Sequence, residues 1–145
     1  MSTLYDTDIV LWSEQQADLL RRLAAARPNE PSLDWEHIIE EIEGVGISEI
    51  HAVQSLLFRA LLHDLKALAW PQAQAAEHWR AEARAFRAQA SLQFLPSMRQ
   101  RIDLVKLYAR VLRAMPESVD GQPPLPVPES IDATIDDLMN QPLGA

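Results

Sequence analysis

Residues 48–70 read SEIHAVQSLLFRALLHDLKALAW and are followed by Pro71. Ile50, Val53, Leu57, Leu61, Leu65 and Leu68 recur at steps of three and four, the spacing of one helix face, while Leu56, Phe58 and Leu62 spread apolarity round it. A helix apolar on nearly every side is surrounded by neighbours, so this one is expected at the centre of an all-α bundle. It ends at Trp70 because proline disfavours helical geometry in the residue before it.

Upstream, a helix starting near Ser32 or Asp34 carries Trp35, Ile38, Ile39 and Ile42 on one face until Gly44-Val45-Gly46. Each glycine costs a helix interior about 1 kcal/mol relative to alanine, which favours a break or kink there. Val45 still fits the stripe, so a bent continuous helix stays open. The first helix has Ile9, Trp12, Gln16, Leu19 and Leu23 at alternating steps of three and four, widened by Leu20, which reads as one buried face. Asp6 and Asp8 suit its N-terminal end, Arg21, Arg22 and Arg27 the other, and Pro28-Asn29-Glu30-Pro31 stops it.

Downstream, an alanine-rich fourth helix runs from about Gln72 to Leu95, with Trp79, Phe86, Ala90 and Leu92 as its larger apolar residues. Ser97 followed by Gln100 reads as a capping box opening a fifth helix with Ile102, Val105, Leu107, Leu112 and Met115, closed by Pro116. Residues 117–129 hold four prolines and a glycine and form a surface loop. A short helix capped by Ser130 or Asp132 then docks through Ile131, Ile135, Leu138 and Met139, and residues 141–145 fray. The expected fold is an irregular bundle of about five helices plus a short docked C-terminal helix, in one domain over residues 1–145.

The chain has 145 residues, 48% hydrophobic and 23% charged, in the range of soluble globular domains. It has no cysteine, which excludes disulfides, thiolate metal sites and a cysteine nucleophile. With no secretory pattern at the start and every apolar run broken by charge, a cytoplasmic protein with no membrane association is expected. Net charge is −8, but it is segregated: residues 1–50 sum to −8, residues 51–115 to +6 and residues 116–145 to −6. Acidic and basic elements packed side by side, within the fold or across a homodimer, account for this pattern.

Glu36, Glu40 and Glu43 form one stripe on the second helix, and Arg59, His63 and Lys66 form another on the least apolar side of the third. If those helices pack antiparallel, the rows meet, and Glu40, Glu43, His63 and Lys66 form a polar network. A metal held by Glu40, Glu43 and His63 is a sharper alternative, weakened because no Glu-x-x-His or His-Glu-x-x-His occurs. His51 and His78 are isolated. Asp64, near an apolar face, reads as a structural carboxylate hydrogen-bonded to a tryptophan, tyrosine or backbone group, with a general base as the alternative. Arg80, Arg84 and Arg87 form a basic face on the fourth helix that can follow phosphates. The acidic chain and the absence of interleaved exposed aromatics count against nucleic acid. Trp12, Trp35, Trp70 and Trp79 read as core or helix-junction anchors. There is no nucleophile elbow, phosphate loop or dinucleotide fingerprint.

Tyr5-Asp6-x-Asp8, Trp12, Gln16-Ala17-x-Leu19-Leu20, Glu40-Glu41-Ile42-Glu43-x-x-Gly46, His63-x-Leu65-Lys66, Pro71, and Trp79 with Arg87 occur in that order. Together they resemble a bacterial family catalogued as domain of unknown function number twenty-nine, over nearly the whole chain. The resemblance implies a helical fold and carries no activity. The chain departs from it at Ala83, where the family has a larger apolar residue. The expectation is a cytoplasmic protein–protein interaction or scaffold domain, with a protein partner or a homodimer, no cofactor and no catalysis of its own. Nucleic-acid binding by the basic face and a carboxylate/histidine metalloenzyme are the alternatives.

Overall fold

In the computed structural model, residues 3–27 and 32–144 are described, and they are all-α. The elements are α1 (Leu4–Thr7), α2 (Ile9–Ala26), α3 (Trp35–Ala69), α4 (Ala76–Gln93), a 3-10 turn (Pro96–Gln100), α5 (Leu104–Ala114) and α6 (Ile135–Asn140). The expected stop at Pro28–Pro31 lies outside the described residues. Contacts gather into two compact units, Met1–Ala52 with Leu95–Arg101 and Val53–Phe94 with Ile102–Ala145.

The largest correction is at Gly44-Val45-Gly46, where no break occurs and the expected second and third helices are one 35-residue helix, α3. Packing outweighs propensity here. A Cβ on Gly46 would overlap the Ser13 hydroxyl and meet the Val10 backbone at 3.4 Å, so the bare glycine is what lets α2 cross closely. Gly44 has open space around it and marks no such contact.

In the first unit, the buried face of α2 is Val10, Ser13 and Ala17, a row of small residues, and not the larger stripe read from the sequence. Ser13 hides its hydroxyl by donating to the Val10 carbonyl at 2.8 Å. Asp8 caps α2, accepting from the Leu11 N–H at 3.0 Å. The same carboxylate accepts from the Ser97 N–H at 3.0 Å and hydroxyl at 2.8 Å. Ser97 therefore lies inside the 3-10 turn rather than capping a fifth helix, and α5 starts later, capped by Asp103 on the Lys106 N–H. Arg101 pairs with Glu14 and donates to the Ser97 carbonyl at 2.7 Å.

In the second unit, the C-terminal half of α3 supplies the core: Val53, Leu57, Ala60, Leu61 and Leu65 are at most 1% exposed. Part of α3 contains an 18-residue window with mean hydropathy 1.2, so by length and composition it is long and apolar enough to cross a bilayer. One third of that window is buried inside the protein. On α4 the buried residues are Ala76, Trp79, Ala83, Arg87 and Ala90, while Leu92, one of its larger apolar residues, is 87% exposed. Ala83, where the family resemblance anticipates a larger residue, is buried, so the helix approaches its neighbours closely there.

The loop after α5 is strapped down. Asp120 and Gly121, both at positive φ, make a two-residue turn between Val119 and Gln122, which exchange backbone hydrogen bonds at 3.1 and 2.9 Å. The Gln122 carbonyl accepts from the Trp70 indole N–H at 2.9 Å, and the Leu125 N–H satisfies the Ala69 carbonyl at the end of α3. Tyr108 donates its hydroxyl to the Pro128 carbonyl. Helix α6 is capped by Thr134, not Ser130 or Asp132, and packs on α4 through a face with Ile135 and Leu138 buried. Residues 141–144 do not fray: the Leu143 N–H donates to Asp64 at 3.0 Å. Ala145 lies outside the described residues.

Candidate functional site

The expected polar network of Glu40, Glu43, His63 and Lys66 does not form. The two rows sit on one helix, with 20 residues from Glu43 to His63, about 30 Å of helix axis. They cannot face one another. The metal alternative of Glu40, Glu43 and His63 goes with them, and among the described residues no three histidine, aspartate or glutamate side chains converge as ligands. Glu36 and Glu40 are exposed, whereas Glu43 is half-buried and pairs with Arg21, which also bonds Asp18 at 3.0 Å. The partner of the acidic row thus comes from the basic end of α2.

The cationic row of α3 meets aromatic faces. The Lys66 ammonium lies 4.5 Å from the centroid of Trp79, and the Arg59 guanidinium 5.7 Å from that of Phe86. His63 stacks on Phe86 with centroids 5.7 Å apart and planes 7° from parallel. Burial, reinforced by the charge of Lys66, holds the His63 imidazole below its usual range. Trp79 and Phe86 are seven residues apart, one face of α4, and that spacing was the available signal for where the cations go.

The three arginines of α4 do not form one solvent face. Arg87 is 5% exposed, paired to Asp64, and its Nε–H donates to the Leu138 carbonyl at 2.6 Å. Asp64, 6% exposed, accepts from Arg87 and from the Leu143 N–H, so its structural reading holds, with Arg87 as the unforeseen partner. Burial raises the Asp64 carboxyl above its usual range, against the opposite pull of the Leu143 N–H and the Arg87 guanidinium. Arg80 is half-buried and pairs with Glu77 at 2.6 Å, and Arg84 is exposed. All three arginines and Asp64 line a cavity of about 880 Å³, together with apolar side chains of α3 and residues 139–144.

The second feature is on α2. With Val10, Ser13 and Ala17 facing inward, the stripe of Ile9, Trp12, Gln16, Leu19 and Leu23 is turned away from that contact. Leu19 is 52% and Leu23 45% exposed. Trp12 is half-buried and meets the exposed Tyr5 edge-on, with centroids 4.9 Å apart.

The sequence profile of a family described as Domain of unknown function DUF29 matches residues 4–142. A crystal structure of an alpha-helical protein of unknown function from Rhodospirillum rubrum superposes with a TM-score of 0.78 at 28% identity, covering 97% of this chain and 92% of that one. No curated protein matches the chain. With nearly its whole length inside the family profile, the chain belongs to the DUF29 family.

Proposed function

We propose that this DUF29 protein is a cytoplasmic protein–protein interaction domain with no catalytic activity of its own, and that it pairs with a second copy of itself through α2. The observation that carries the reading is the outward stripe of α2. Its steps of three, four, three and four from Ile9 to Leu23 are the repeat of a helix seam, and its two leucines are half exposed. A helix already carrying that repeat finds the matching seam in another copy of itself. Gln16, in the middle of the seam, is the kind of polar residue that fixes register at some cost in stability.

The rival readings lose support from the same geometry. Arg87 is committed to Asp64, which leaves Arg80 and Arg84 as the cations of the basic face, too few for a strong phosphate track on an acidic chain. Asp64, the candidate general base, already accepts two hydrogen bonds and faces a fixed guanidinium.

Sedimentation of the full chain from low to high micromolar concentration tests the reading. A reversible monomer–dimer equilibrium is expected. Leu19→Glu with Leu23→Glu should abolish it while leaving the circular dichroism spectrum unchanged. Each lost leucine contact is worth about 1.5 kcal/mol, about tenfold in Kd. A chain that stays monomeric throughout, or a double variant that still associates, overturns it.

A further inference from the structure

We propose that the cavity of the second unit binds an amphipathic organic anion, a single carboxylate or phosphate head on an alkyl chain, with Arg80 and Arg84 holding the head. Nothing in this inference depends on self-association through α2. The cavity, about 880 Å³, is within the size range of small-molecule sites. Leu68, Pro71, Met139 and Leu143 give it an apolar lining suited to a chain.

Charge is distributed unevenly along its walls. At one side the Arg87–Asp64 pair is already closed on itself and on the backbone of Leu138 and Leu143, so it offers a ligand no free charge. Among the described residues lining the cavity, Asp64 is the one carboxylate. Arg84 has no hydrogen bond or ion pair to any described residue, and Arg80 is held by Glu77, whose side chain is 90% exposed and readily exchanged for a better-placed anion. A guanidinium with no counter-charge on an apolar concave wall is matched by a planar or tetrahedral oxyanion whose body fills the apolar part. A polyanion is disfavoured by the chain's net charge of −8, whereas a single head between two arginines is not.

Titration calorimetry of the full chain with four probes tests this: decanoate and decyl phosphate below their micellar concentrations, decanol, and inorganic phosphate. One site is expected for either amphiphile, at least tenfold tighter than for decanol or phosphate, and the tighter of the two heads identifies the head group. Losing one charge-assisted contact in Arg84→Gln should weaken the amphiphile about tenfold or more and leave decanol binding unchanged. Arg80→Gln should act in the same direction. Arg110→Gln, an exposed change on α5, should alter nothing. Amphiphile binding no tighter than decanol, or unaffected in both Arg84→Gln and Arg80→Gln, overturns the proposal, and so does phosphate alone binding as tightly as decyl phosphate.

Discussion

The first unit brings helices together by omission and the second by bulk. Around Gly46 the contact is made by Val10, Ser13 and the glycine itself, and polar links surround it: Asp8 to Ser97, Glu14 to Arg101, Glu43 to Arg21. Around Leu57, Leu61 and Leu65 the contact is made by large side chains withdrawn from water, and the same unit holds a buried ion pair, Arg87–Asp64. The same helix, α3, works in both ways along its length. The contrast separates two sensitivities: the first region should fail when an atom is added, the second when an atom or a charge is removed.

The enclosed ion pair should give the largest effect. Replacing Arg87 with methionine leaves the Asp64 carboxyl buried without its counter-charge, and the expected loss is about 3–5 kcal/mol of unfolding free energy. The double variant Arg87→Met with Asp64→Leu should recover most of that. It should not recover all, because the Leu138 carbonyl and the Leu143 N–H each lose a partner. Urea unfolding of the single and double variants measures both. If the double variant is as unstable as the single, the pair is not the unit that governs this interior.

The glycines test the other half of the contrast with a pair of identical changes two residues apart. Gly46→Ala must push aside the Ser13 hydroxyl, with the Val10 backbone already at van der Waals contact behind it, and should cost about 1–3 kcal/mol. Gly44→Ala meets nothing and should stabilise α3 by about 0.5–1 kcal/mol through helix propensity alone. Adding Ser13→Ala to Gly46→Ala should restore part of the loss. Thermal melts of the three variants decide it, and equal effects at the two positions would mean the close crossing is not what Gly46 serves.

How far the sequence revealed this depends on the same contrast. The C-terminal half of α3 was legible because its leucines recur at helical steps and bulk is what hydrophobic periodicity detects. The inward face of α2 was not, because Val10, Ser13 and Ala17 carry less apolar surface than the Ile9–Leu23 stripe, and their role depends on a glycine more than 25 residues away. The charge stripes were found on the correct faces, yet their partners were misassigned. Continuity of α3 took Glu43 to Arg21, and Lys66 and His63 to Trp79 and Phe86. The Asp64–Arg87 pair joins residues 23 apart on two helices, and no local pattern encodes it. The docking of residues 141–144 was equally hidden, since it rests on one backbone N–H meeting a buried carboxylate.

The smallest effect concerns His63, where the two halves of α3 differ in how they treat an ionisable group. The acidic row is left to water or to Arg21, but the imidazole lies against Phe86, and burial lowers its affinity for a proton. In the unfolded chain the group titrates at about 6.5, so on acidification the unfolded state takes up the proton first. Stability contributed by neutral His63 is therefore full above about pH 6.5 and declines as pH falls towards the folded value. Asp64, with its raised carboxyl, runs the opposite way: the folded state protonates first, and its contribution falls as pH rises through its own range. Urea midpoints of the wild type and His63→Gln across about pH 5 to 8 isolate the imidazole from that opposing term. The advantage of the wild type should shrink on acidification. Parallel curves for the two proteins would mean that Phe86 covers the ring without excluding the water that stabilises its charge.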